Sequence, residues 1–183
     1  MKRLFIGIVF SEEIIGEIEV FCKSLRLIDL DGSFVPRENV HVTLKFLGGV
    51  DEARIPGIIA KIQNALAGFR KFSAPVRGVG VFPSLERIEV VWVGVVSSEM
   101  VQLMRVIKEE LSDIRAEEFE EDVPHATVLR VKSGKGKPLL QALVGKWGRA
   151  EFGKLFVDKV VLYESVLSSE GAKYKIVNEF KLK

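Results

Sequence analysis

The chain has 183 residues, 48% apolar and 28% charged, with a formal net charge of +2. That balance describes a folded globular protein and excludes a disordered tail or a low-complexity tract. No apolar run approaches the ~20 residues of a membrane helix, and Met1-Lys2-Arg3 leads straight into a strand-like run, so neither a membrane span nor a signal peptide is expected.

Leu4 to Phe10 reads as a buried strand that stops at Ser11, a good helix N-cap, with Glu12 and Glu13 placed to favour the helix dipole. The spacing of Ile14, Ile15, Ile18, Phe21, Cys22 and Leu25 predicts the apolar stripe of a helix. Cys22 is the only cysteine, which rules out an intrachain disulfide and suits a reducing, cytoplasmic setting. Its place in that stripe makes it a core residue rather than a nucleophile.

Asp31-Gly32 marks a turn, and Pro36 and Asn39 precede a strand from Val40 to Leu47 that Gly48-Gly49 is expected to end. Asp51 starts a second helix with Ile55, Ile58, Ile59, Ile62, Ala65 and Leu66 as its core face. Phe72 to Phe82 and Ile88 to Val96 are strand-like. Ser97 or Ser98 caps a third helix, whose stripe is Val101, Met104, Ile107, the Lys108 stem and Leu111. Val123 to Val131 is a strand, Ser133 to Pro138 a loop and Leu139 to Trp147 a short helix. Phe152 to Tyr163 and Lys173 to Leu182 close the chain as strands.

The order β-α-β-α-β, then β-α-β-α-β-β, suggests two similar halves without a linker. It predicts one α+β domain over residues 1–183, bilobal, with antiparallel sheets flanked by helices.

The chain contains two histidines and two threonines, and each threonine follows a histidine by two residues: His41-Val42-Thr43-Leu44 and His125-Ala126-Thr127-Val128. Side chains two apart on a strand share a face, so His41 projects with Thr43 and His125 with Thr127. If the two strands face each other across a cleft, two imidazoles and two hydroxyls converge. One imidazole can serve as acid and the other as base near neutral pH, while the hydroxyls donate to phosphate oxygens. Such a site suits in-line cleavage of a phosphodiester and requires no metal. A zinc site needs a third ligand, and only a carboxylate such as Asp122 could supply one. Two further cations are candidates for the phosphate. Lys45 shares the parity of His41 and Thr43 and is expected to face the same cleft. Arg130 has the wrong parity from His125 and needs a bulge, a strand end or a long reach.

These residues resemble the 2H phosphoesterase superfamily, named for its paired His-x-(Thr/Ser)-x motifs, and above all its LigT-like branch of RNA 2′,3′-cyclic phosphodiesterases, also called 2′-5′ RNA ligases. The similarity runs through Arg3-Leu4-Phe5-Ile6-Gly7-Ile8, Asn39 to Gly48, Gly78 to Pro83, Pro124 to Arg130, Leu162-Tyr163-Glu164-Ser165 and Gly171-Ala172-Lys173-Tyr174. The resemblance implies a bilobal, pseudo-twofold α+β fold with the active-site cleft between two antiparallel sheets. It implies hydrolysis of an RNA terminal 2′,3′-cyclic phosphate to a 2′-phosphate, with His41 as acid to the leaving 3′-oxygen and His125 as base. Thr43, Thr127 and Arg130 would hold the phosphate.

Replacing water by an RNA 5′-hydroxyl would give ATP-independent 2′-5′ ligation. No cofactor, membrane or obligate protein partner is expected; the partner is RNA ending in a cyclic phosphate. Two rivals remain: a non-catalytic module that binds phosphorylated RNA ends, and a phosphodiesterase for a small cyclic nucleotide. Gly134-Lys135-Gly136-Lys137 reads as a basic surface turn or an RNA backbone contact. Phe5, Phe46 and Tyr174 could stack on a base, although buried core is the expected role of each.

Overall fold

The computed structural model describes residues 1–114, 122–168 and 171–183, and of residue 168 only the backbone. Among these described residues, nine strands form two antiparallel sheets. In the four-stranded sheet the order is β3 (His41–Val50), β1 (Lys2–Val9), β8 (Lys159–Ser168), β9 (Gly171–Lys181). In the five-stranded sheet it is β2 (Gly32–Phe34), β6 (His125–Val131), β5 (Ile88–Val95), β4 (Phe72–Pro83), β7 (Glu151–Val157).

The α-helices among the described residues, α1 (Glu12–Arg26), α2 (Ile55–Leu66), α3 (Ser98–Glu110) and α4 (Lys137–Trp147), cover the sheets. α2 and α3 pack against the smaller sheet through β9 and β3, while α1 and α4 pack on the larger one through β7 and β4. Each sheet therefore buries one face under helices and keeps the other for the site.

The serine caps act as expected, whereas Asp51 caps a 3₁₀ turn (Glu52–Arg54) that leads into α2 rather than α2 itself. Ser11 Oγ accepts from the Ile14 N–H, and Ser97 Oγ from the Met100 N–H. All six apolar positions predicted for α1 are buried. The stripe of α3 keeps Met104, Ile107 and Leu111 as expected and adds Met100 and Leu103, whereas Val101 is only half-buried.

Three strand expectations need correction. β3 does not stop at Gly48-Gly49. Gly48 takes φ +66°, and Leu4 and Phe5 pair with Gly48 and Phe46, so a bulge at Leu47 lets the ladder continue to Val50. Phe152 to Tyr163 is two strands. At Asp158, whose carbonyl accepts from the Leu182 N–H, the chain leaves one sheet and enters the other. The halves of the sequence are also not the lobes, because β4 joins β5 and β6, whereas β8 and β9 join β1.

Candidate active site

β3 and β6, the two His-x-Thr strands, belong to different sheets and lie against each other. On β3, Val42 and Leu44 are buried, while His41 and Thr43 are half-buried on the opposite face. On β6, Ala126 and Val128 are buried, and His125 and Thr127 half-buried. Alternation thus sets each pair as expected.

The two imidazoles are held in the same way. His41 Nδ1–H donates to the Asn39 carbonyl at 2.6 Å, and His125 Nδ1–H donates to the Val123 carbonyl at 2.7 Å. A carbonyl can only accept, so Nδ1 carries the proton in both rings and Nε2 becomes the exchanging atom. Thr43 Oγ1 lies 3.0 Å from His41 Nε2, and donates to it when the ring is neutral.

Each ring also rests on aromatics. His41 has Phe5 at 4.8 Å and Tyr174 edge-on at 5.3 Å between ring centroids. His125 has Phe82 edge-on at 5.0 Å and Trp92 at 5.9 Å.

Asn39 links the first ring to the smaller sheet's far edge. Its side-chain amide donates to the Ala172 carbonyl at 2.7 Å while its own carbonyl fixes His41. Sequence reasoning missed this positioning role for Asn39 and the matching one for Val123. Both work through backbone carbonyls, which leave no side-chain signature.

Bulges decide the two cation candidates. In β6, Val91 pairs with Leu129 and Trp92 with Thr127, so Val128 and Leu129 together oppose one residue. Both point into the core, and Arg130 returns to the face of His125 and Thr127. Its positive charge reaches both His41 and Tyr174.

β3 has the mirror arrangement. Ile6 pairs with Lys45 and Gly7 with Thr43, so Leu44 and Lys45 together oppose Ile6 and both are buried. The parity that set Lys45 in the cleft is therefore broken, and Phe46 takes that face. Phe46 is 45% exposed, contrary to the buried role expected of it, with its ring 6.1 Å from Phe5.

Burial pulls the His41 pKa below its ordinary value, and the charges of His125 and Arg130 lower it further, against the opposing bond to Asn39. Asp122 does not approach a histidine pair as a metal ligand; it accepts from Arg105 Nε and Lys108 Nζ, each at 3.0 Å. Among the described residues no group of three His, Cys, Asp or Glu is placed to hold a metal ion, and no helix is long and apolar enough to cross a membrane.

Residues 9–92 match the family model described as LigT like Phosphoesterase. A Methanothermobacter thermautotrophicus protein named RNA 2′,3′-cyclic phosphodiesterase is 33% identical over 98% of this chain and 98% of its own. A Methanocaldococcus jannaschii protein of the same name is 31% identical over 97% and 99%. The fold is shared with a solved structure from Thermus thermophilus, at TM-score 0.81 and 24% identity over 98% and 97% of the two chains. Aligned over nearly its whole length to such relatives, the chain belongs to the LigT-like phosphoesterase family.

Proposed function

We propose that this protein hydrolyses the 2′,3′-cyclic phosphate at an RNA end to a 2′-phosphate, with residues 1–183 acting as one catalytic unit. The observation that carries this reading is the pair of imidazoles, each pinned at Nδ1 by the carbonyl two residues earlier. Two bases fixed in one tautomer, with charges that influence each other, suit a reaction needing one proton given and one taken. A module that only binds phosphate would be served by Arg and Lys.

In the proposed step His125 Nε2 takes a proton from water as its oxygen attacks phosphorus. The P–O3′ bond breaks, and His41 Nε2–H protonates the leaving O3′. Thr43, Thr127 and Arg130 donate to the non-bridging oxygens, where charge grows in the transition state. The exposed ring of Phe46 offers a face to the terminal base. The order of acid and base follows the family resemblance. Lys45 is left out, because its side chain lies on the core face of β3. A 5′-hydroxyl in place of water gives a 2′-5′ linkage by the same proton transfers.

The test is product analysis on a dinucleotide ending in a 2′,3′-cyclic phosphate, followed by phosphorus NMR. A 2′-phosphate product supports the proposal. A 3′-phosphate would reverse the leaving group, and an unchanged substrate would contradict the activity.

A further inference from the structure

Tyr174 reaches His41 from the far edge of its sheet. Two strands separate β9 from β3, yet the Tyr174 ring stands edge-on to the His41 ring at 5.3 Å between centroids. The end of the β8–β9 ladder therefore curls back over the sheet. Asn39 fastens it there, because its buried side-chain amide donates at 2.7 Å to the carbonyl of Ala172, two residues before Tyr174. The ring itself is already engaged by protein, with Phe5 at 4.7 Å, edge to face, and Tyr163 at 6.3 Å. A phenylalanine would fill the same place, so packing does not account for the hydroxyl. Among the described residues nothing pairs with that hydroxyl. Tyr174 is half-buried, and a phenol drawn out of water calls for a partner.

Burial raises the Tyr174 pKa, and the charge of Arg130, on the other sheet, works against that rise. The phenol therefore keeps its proton at neutral pH and can donate. Three groups from three strands border one space: His41 on β3, Arg130 on β6 and Tyr174 on β9. The Arg130 charge reaches both of the others. In the hydrolysis proposed above, that space holds the phosphate between the acid and the guanidinium.

We propose that the Tyr174 hydroxyl donates a hydrogen bond to one non-bridging oxygen of the cyclic phosphate, which makes Tyr174 a further substrate-contacting residue. This contact rests on the hydrolysis proposed above. The phosphate then has two donors from each sheet: Thr43 and Tyr174 from the smaller, Thr127 and Arg130 from the larger. Charge grows on the non-bridging oxygens in the transition state, so the bond strengthens there and acts on kcat more than on KM.

The experiment compares wild type with Tyr174→Phe, which keeps the ring and its packing. On uridine 2′,3′-cyclic phosphate, kcat should fall about 10- to 100-fold with little change in KM. The two diastereomers of uridine 2′,3′-cyclic phosphorothioate carry sulfur, a weak acceptor, in place of one non-bridging oxygen or the other. Tyr174→Phe should slow one diastereomer as much as the parent compound. It should hardly slow the other, in which the contact is already lost. The His41 midpoint, read from its imidazole C–H resonances, should be the same in both proteins. Equal rates for wild type and Tyr174→Phe would overturn the proposal. So would an equal loss on both diastereomers, or a loss accompanied by a shifted His41 midpoint, either of which would make Tyr174 a positioning residue. If wild type hydrolyses none of these compounds, the proposed activity fails on its own account and binding decides on Tyr174. Titration with uridine 2′-phosphate should then still show about tenfold weaker affinity in Tyr174→Phe, and equal affinity would overturn the contact.

Discussion

Phe46 and Arg130 stand at the same place on the two His-x-Thr strands. Each follows its histidine by five residues, and each is turned to the histidine's face by a bulge just before it. One sheet thus offers a ring where the other offers a guanidinium. Arg130→Ala should lower kcat by about 10²–10³, the usual cost of removing a donor to a developing oxyanion. Arg130→Lys should restore little, because an ammonium cannot reproduce the bidentate fork. Phe46→Ala should act mainly on KM, with Phe46→Leu intermediate. Steady-state kinetics on a dinucleotide cyclic phosphate separate the two, and an unchanged kcat in Arg130→Ala would remove Arg130 from the reacting phosphate.

The proton affinity of His41 is open to direct measurement. Its pKa is lowered from 6.5, chiefly by burial and then by two neighbouring positive charges. Removing a positive charge favours the protonated ring, so both Arg130→Ala and His125→Ala should raise the His41 midpoint. Titration of the imidazole C–H resonances by NMR reads this without turnover. A midpoint that falls, or stays fixed in both variants, would mean that those charges do not reach His41.

Gly7 stands opposite Thr43, and a Cβ there would come within 2.9 Å of the Val42 carbonyl and 3.2 Å of His41 Cδ2. Gly7→Ala should therefore push the ring off its Asn39 bond. Activity should fall by about tenfold or more, since small misplacements of a reacting group are costly. A folded Gly7→Ala protein with normal activity would show that the His41 position tolerates movement.

Cys22 is buried in α1, and burial pushes its thiol up to about 11. Alkylation at pH 8 should be slow in the native protein and fast in denaturant. Rapid native labelling would contradict the core placement.

The parts of this molecule that were legible in its sequence depend on side-chain pattern. Ser11 and Ser97 announce their helices, and the apolar stripe of α1 is reproduced residue for residue. The His-x-Thr pairs place four polar groups because alternation is local. The bulges at Leu44 and Val128 were not legible, since each depends on pairing with a strand distant in sequence. They reversed the expectation for Lys45 and supplied the condition that Arg130 needed. The turn at Asp158 was hidden for the same reason: the Asp158-Lys159 pair interrupts the apolar run, but nothing local says that the pieces on either side belong to different sheets.

The most direct test of paired histidine catalysis compares wild type with His41→Ala, His125→Ala and the double variant. The substrate is a short RNA ending in a 2′,3′-cyclic phosphate, with chelator present throughout. Wild type should yield a 2′-phosphate at full rate, and each single variant should lose about 10²–10⁴ in rate while remaining folded by circular dichroism. Substantial hydrolysis by a folded single variant, or a chelator-induced loss that zinc restores, would contradict the two-histidine mechanism.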